Sequence, residues 1–211
     1  MVRALWLVAL VAGCLGDPAR PAPDAAAHVD AAADAPPLAG SAVFGDTTAE
    51  DSPDPHGCGV PEAASFMTGS TVAAVHSLWI YVGDTSGDDA TRIDAAIYDS
   101  DGSGEPTTLV ASAFVEMTGQ LPRAQWYQLP LQTAYTPQPN HVYWIAAMCP
   151  VNKGTQFTPM YRYLGAGGVG ACDATQTLCT EHGRDSEATF DTMFHDYAKF
   201  LPSTNSYYAA Q

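Results

Sequence analysis

Five cysteines, Cys14, Cys58, Cys149, Cys172 and Cys179, are the residues of this 211-residue chain with the widest chemical range. A thiol can carry an acyl group, pair into a disulfide or hold a soft metal. Cys14 stands apart at the end of an apolar N-terminal run, which leaves an even set of four. An even set in an exported domain implies two disulfides, for which four cysteines permit three pairings. The preferred pairing joins Cys172 to Cys179, closing a short polar loop, and Cys58 to Cys149, tying the first strand region to the end of the strand that carries Trp144. A zinc site would instead recruit His56 with Cys58, or Cys172 and Cys179 with His182. Those spacings match neither a ribbon nor a finger, and an oxidising compartment favours the disulfides.

Carboxylates form the second group, with seven acids between Asp84 and Glu105 against Arg92 alone. Asp99-x-Asp101-x-Ser103-Gly104 matches the first half of a calcium loop, in which oxygens at alternate positions converge while Gly makes the turn. Val110 stands where the bidentate carboxylate of an EF-hand would be, which argues against that motif. A calcium site in a sandwich loop would use Asp99, Asp101, Ser103 and Glu105, joined by Asp84, Asp88 and Asp89. The alternative is a solvated hairpin whose Asp, Gly and Ser merely suit the turn. Calcium is the one cofactor the sequence suggests. Catalytic templates are missing: there is no Gly-x-Ser-x-Gly, His-Glu-x-x-His, Cys-x-x-Cys, phosphate loop or dinucleotide fingerprint. Asp88-Asp89 and Glu181-His182 are the suggestive neighbours, but adjacent strand residues point to opposite faces. No catalytic residue is assigned and an enzyme is not expected, although glycosidases do pair carboxylates that lie far apart in sequence.

Aromatic side chains are the third group, because the C–H face of a sugar ring packs on a π-surface as other apolar ligands do. Trp79 and Tyr81 are the candidate surface platform. Trp126 and Trp144 read as core, and Tyr161 and Tyr163 are further candidates.

These groups are positioned by three segments. Residues 1–13 hold Arg3 and the apolar run Ala4 to Gly13, an h-region of a signal peptide stopped by Gly16, Asp17 and Pro18. The run is about half the roughly 20 apolar residues that cross a bilayer. Val11-Ala12-Gly13-Cys14 resembles the bacterial lipobox, in which small residues before Cys let a dedicated peptidase leave a diacylated Cys as the first residue. That resemblance implies a lipid anchor at Cys14 and a place in the bacterial cell envelope, outside the cytoplasm, with the membrane as a partner. From Leu15 to Gly40 there are ten Ala, five Pro and four Asp in 26 residues. Such a composition cannot offset the entropy of ordering, so residues 14–40 read as a lipidated Cys and an extended tether with a reach of up to roughly 80 Å. An Ala-rich helix over Ala25 to Ala35 is the alternative, weakened by the lack of an apolar stripe.

Residues 41–211 change pattern to short runs of Val, Ile, Thr, Tyr and Trp bounded by Gly, Pro, Asp and Ser. Thr71 to Gly83 alternates Leu78, Ile80 and Val82 against Ser77, Trp79 and Tyr81. Thr91 to Tyr98, Leu109 to Val115, Gln125 to Leu131, His141 to Cys149 and Gln156 to Leu164 follow, with an edge strand near Tyr207. Strands at this spacing without amphipathic helices predict an all-β fold, an antiparallel β-sandwich of jelly-roll type. Phe44-Gly45-Asp46-Thr47-Thr48, Ala63-Ala64-Ser65-Phe66, Leu78-Trp79-Ile80-Tyr81-Val82, Arg92-Ile93-Asp94-Ala95-Ala96-Ile97-Tyr98, Trp126-Tyr127-Gln128-Leu129 and Tyr143-Trp144-Ile145-Ala146 run in order. That order resembles a jelly-roll domain of bacterial and archaeal surface proteins, similar in shape to non-catalytic carbohydrate-binding modules. The matching residues are structural, so the resemblance carries over no binding site.

The chain has 8 Lys+Arg against 23 Asp+Glu and a net charge of -15, which makes nucleic acid and anionic lipid surfaces poor partners. The expected protein is a cell-surface lipoprotein with a non-catalytic binding or adhesion module for a glycan or a surface protein. The alternatives are a structural envelope or stalk module and a glycoside hydrolase on the same scaffold. Replacing Cys14 with Ala should abolish palmitate incorporation and release the protein from the membrane fraction. Labelling that persists in Cys14→Ala would remove the anchor from the account.

Overall fold

The computed structural model describes residues 41–50, 52–83, 87–101, 104–121, 124–169, 180–183, 189–194 and 196–211. The signal segment, Cys14 and the tether, together with Asp84, Ser103, Cys172 and Cys179, lie outside the described residues, as do the expectations placed on them.

Alternation of apolar and polar residues becomes strand wherever a turn signal bounds it. The strands are β1 (Ala42–Gly45), β2 (Ser52–Pro53), β3 (His56–Gly57), β4 (Glu62–Met67), β5 (Val75–Val82), β6 (Arg92–Ser100) and β7 (Pro106–Glu116). There follow β8 (Gln125–Tyr135), β9 (Val142–Met148), β10 (Gln156–Phe157), β11 (Met160–Val169), β12 (Thr180–Gly183), β13 (Asp196–Asn205) and β14 (Tyr207–Ala210). No helix occurs among the described residues. One sheet has the order β1-β14-β5-β8, a second the order β2-β11-β13-β12-β4-β9-β6-β7, and β10 pairs with β3 alone. All pairings within these sheets are antiparallel.

The two larger sheets pack face to face as a sandwich. Leu78, Ile80, Leu129, Tyr207 and Ala209 from the smaller sheet share one core with Ala64, Phe66, Ile93, Ile97, Tyr143 and Ile145 from the larger. Fully burying an aliphatic or aromatic side chain of this size stabilises the fold by about 1.5–3 kcal/mol, so the period-two pattern of β5 and β6 fixes their register.

Two strand expectations are corrected. The strand near Tyr207 is not an edge: β14 is flanked by β1 and β5, with Ala42 opposite Ala210 and Tyr208 opposite Trp79. It gains its second neighbour because β1 folds back along it, and Gly45 makes the close fit there. Gly45 has φ +116°, and a Cβ on it would meet the Tyr207 carbonyl oxygen and Tyr208 Cα at 2.4 Å. The single strand expected from Gln156 to Leu164 is two strands in different sheets. Pro159 stands between them, and a residue without an N–H cannot continue the ladder.

The Cys58–Cys149 disulfide is formed, with Cα atoms 4.7 Å apart, and it joins positions 91 residues apart. The zinc site that would recruit Cys58 is thereby corrected, since both sulfurs are covalently committed. Beside the bridge the Gly59 N–H donates to the Cys149 carbonyl at 2.6 Å, so the backbone is already closely apposed where the sulfurs meet. In the chain-entropy account, closing a loop of this length removes about 4–5 kcal/mol of unfolded-state freedom. Replacing both Cys58 and Cys149 with Ser should lower unfolding stability by a large part of that amount in a denaturant titration. A change under about 1 kcal/mol would show that the bridge is not what holds this region.

Candidate functional site

The larger sheet is covered on its outer face as well as its inner one. Ala63, Ala96, Tyr98, Trp144 and Ala146 are buried there, and Phe190 and Phe194 pack against them. Three Ala leave a shallow floor on which two rings can lie. Phe190 and Phe194 both meet Tyr98 edge-on, at 6.1 and 5.3 Å between centroids. Thr189 to Phe194 form a strap held by its backbone: Leu109 N–H donates to Thr192 O, Phe194 N–H to Thr107 O, and Tyr98 Oη to the Asp191 carbonyl at 2.8 Å.

Where this strap meets β6, β7 and β8 there is an open cleft of about 490 Å³, lined among others by Arg92, Asp94, Ser112, Phe114, Gln132 and Phe190. That volume lies within the range of small-molecule sites. Register puts its floor together. Asp94 lies opposite Phe114, Arg92 opposite Glu116 and Ala96 opposite Ser112, so residues of one parity share the outer face. The Arg92 Nε–H donates to Asp94 Oδ1 at 2.5 Å and Nη2–H to Oδ2 at 3.1 Å, a planar two-bond pair. The guanidinium carbon lies 3.9 Å from the centre of the Phe114 ring, a cation–π contact. Phe114 is 49% exposed, an unusual position for a large aromatic side chain.

Burial pushes the Asp94 carboxyl above the usual carboxylate range, and the bond from Arg92 pulls against that shift. The same bond holds Arg92 more firmly protonated than a free guanidinium. Arg92 also faces Glu116 at 3.8 Å, and Glu116 accepts from Lys153 Nζ at 2.5 Å, which holds the Glu116 carboxyl below its ordinary range. The floor therefore offers donors, acceptors and a ring in one place.

Sequence reasoning assigned this cleft no residue. The signal was present in Arg92-x-Asp94, opposite charges on one face of a strand, but the partners from β7, β8 and the strap come from distant positions.

The residues that were singled out are placed elsewhere. Trp79 and Tyr81 do not form an open platform: they are 3% and 7% exposed. Cross-strand pairing explains it. Trp79 stacks on Tyr208, its register partner, at 5.7 Å and 5° between planes, and Tyr81 meets its partner Trp126 edge-on at 5.4 Å. Trp144 is core, as expected, and its Nε1–H donates to the Gly104 carbonyl at 2.9 Å. Trp126 is instead half-buried against Trp79, Tyr208 and Ala210, away from the main core.

Of the residues expected to hold calcium, Asp84 and Ser103 lie outside the described residues. Among the described residues no group of three or more His, Cys, Asp or Glu side chains converges to hold a metal ion. Asp99 Oδ1 lies 2.5 Å from His141 Nε2 and accepts from the Ser100 N–H. Asp101 accepts from the N–H of Glu105 at 3.2 Å, and the Asp101 N–H donates to the Glu105 carbonyl, so this acid closes its own turn. Asp88 and Asp89 reach the segment that contains β10. Asp88 accepts from Thr158 Oγ1 at 2.6 Å, and Asp89 from the N–H groups of Thr155 and Gln156 at 2.6 and 2.9 Å. His56 Nε2 lies 3.2 Å from the buried Glu62 carboxylate, which also accepts from Asn205.

Comparison with protein-family models, curated proteins and solved structures finds no match for the chain.

The N–H groups of Gln156 and Thr155 hold the Asp89 carboxyl below its ordinary range. A depressed carboxylate stabilises the fold at pH values above its unfolded-state pKa. That contribution is lost as pH falls through the folded value, here below about pH 4. Asp89→Ala should lower stability at neutral pH by about 1–2 kcal/mol. It should also flatten the acid limb of a plot of melting temperature against pH; an unchanged limb would place the acid sensitivity elsewhere.

Proposed function

We propose that this protein is a lipid-anchored protein of the bacterial cell envelope whose β-sandwich binds glycan without catalysing a reaction, through the cleft at Arg92, Asp94 and Phe114. The observation that carries the binding site is the joint presence, on one open floor, of a half-exposed aromatic ring and a planar ion pair ringed by Ser112 and Gln132. A sugar ring needs both an apolar face for its C–H surface and polar groups for its hydroxyls. Small-molecule sites generally combine apolar lining with a few placed polar groups in this way. The anchor at Cys14 and the envelope location are supported by the lipobox-like Val11-Ala12-Gly13-Cys14 after an apolar run, and by a tether composition that separates the sandwich from a membrane.

A glycan array probed with the whole protein, in calcium and in chelator, tests the binding function. Retention on at least one glycan class is expected, and Phe114→Ala should cut it about tenfold, the cost of losing roughly 1.4 kcal/mol of ring contact. Failure to retain any glycan in either condition would overturn the proposal in favour of a structural envelope module.

A further inference from the structure

We infer that the cleft accepts neutral saccharides, read by the Arg92–Asp94 pair, and excludes sugars that carry a carboxylate; this deepens the glycan reading above and rests on it. Two charged side chains of opposite sign, Arg92 and Asp94, line the cleft, and the charges linked to them also cancel. Asp94, Arg92, Glu116 and Lys153 form one chain of ion pairs, with successive contacts of 2.5, 3.8 and 2.5 Å. A carboxylate ligand is best held by a guanidinium that presents two parallel N–H groups to it. Arg92 already donates its Nε–H and one Nη2–H to Asp94.

To clamp an anionic sugar, Arg92 would have to offer its Nη1 edge, which already faces the Glu116 carboxylate at 3.8 Å, or leave Asp94. The first sets two carboxylates against each other, and the second strands a carboxylate that is only 6% exposed without its counter-ion. The domain from Ser41 onward, with 6 Lys+Arg against 19 Asp+Glu, adds a negative field that opposes the approach of such a ligand.

Neutral hydroxyls meet the opposite situation. Five N–H donors on a guanidinium leave three after the Asp94 pair is made, and an ionised carboxylate has acceptor sites beyond the two that Arg92 uses. Donor and acceptor sites therefore belong to one ion pair, the donors on the more open Arg92 and the acceptor on the little-exposed edge of Asp94. Two neighbouring hydroxyls of a sugar, each able to donate and accept, satisfy both without disturbing the ion pair. Phe114, held against Arg92, then fixes the height at which a ring can rest.

The test is retention of the whole protein on immobilised xylan, mannan and dextran, set against polygalacturonate and alginate, for the wild type and for Arg92→Lys and Asp94→Asn. Arg92→Lys keeps the charge and loses the planar fork, so it separates geometry from electrostatics. Retention on at least one neutral polymer and on neither anionic one is expected, with each variant weakening it about tenfold or more. Melting temperatures of the variants identify any loss that comes from unfolding, and Arg92→Lys alone decides the matter if Asp94→Asn is unstable. Equal or stronger retention on polygalacturonate or alginate, or wild-type retention by a folded Arg92→Lys, overturns the neutral-sugar inference while leaving glycan binding in place. No retention on any of the five polymers overturns both.

Discussion

A strand buried along its whole length must find apolar partners on both of its faces, and β9 is such a strand: all seven residues from Val142 to Met148 are buried. Tyr143, Ile145 and Ala147 face the core shared with the smaller sheet, whereas Trp144 and Ala146 belong to the opposite face. An uncovered outer face would leave Trp144, the largest of the fully buried side chains described, in water, so the sheet needs a third layer locally. Thr189 to Phe194 supplies it, and small residues beside Trp144 make room for the two rings it brings. The candidate site is a by-product of that cover, because Thr189 and Phe190 of the strap line the cleft together with residues of β6, β7 and β8.

Charge is arranged so that this wall is usable. The domain is strongly acidic, yet around the cleft the acids are tied to the few cations available. Elsewhere the acids are used for geometry. Asp89 pins the Thr155–Gln156 backbone and Asp101 closes a hairpin. Glu62 accepts from Asn205 beside His56 in the interior. A strongly acidic composition is thus compatible with a locally balanced cleft.

The all-β sandwich was legible because its evidence is local. The alternation Leu78, Ile80, Val82 and the run Ile93 to Ile97 describe faces that the structure keeps, and the pairing of Cys58 with Cys149 followed from where strands begin and end. What could not be read depends on contacts between distant positions. The burial of Trp79 requires Tyr208 opposite it, and the interior place of β14 requires β1 beside it. His141, just before β9, faces Asp99 of β6, a contact that the sequence alone does not show. The strap has no period to betray it, being held by backbone bonds rather than by an alternating face. For the same reason the cleft was invisible: Arg92 and Asp94 could be paired from sequence, but Gln132 and Phe190 could not be added to them.

The Cys58–Cys149 bridge brackets β4 to β9 and the turns between them. A single cut at Asp101 or Met117 would divide the chain and yet leave both pieces covalently joined. Each would retain its strands in the same two sheets. Such a molecule would persist in nicked form, showing two fragments only after reduction. Durability, rather than thermodynamic stability alone, is what a covalent tie across a 91-residue separation confers.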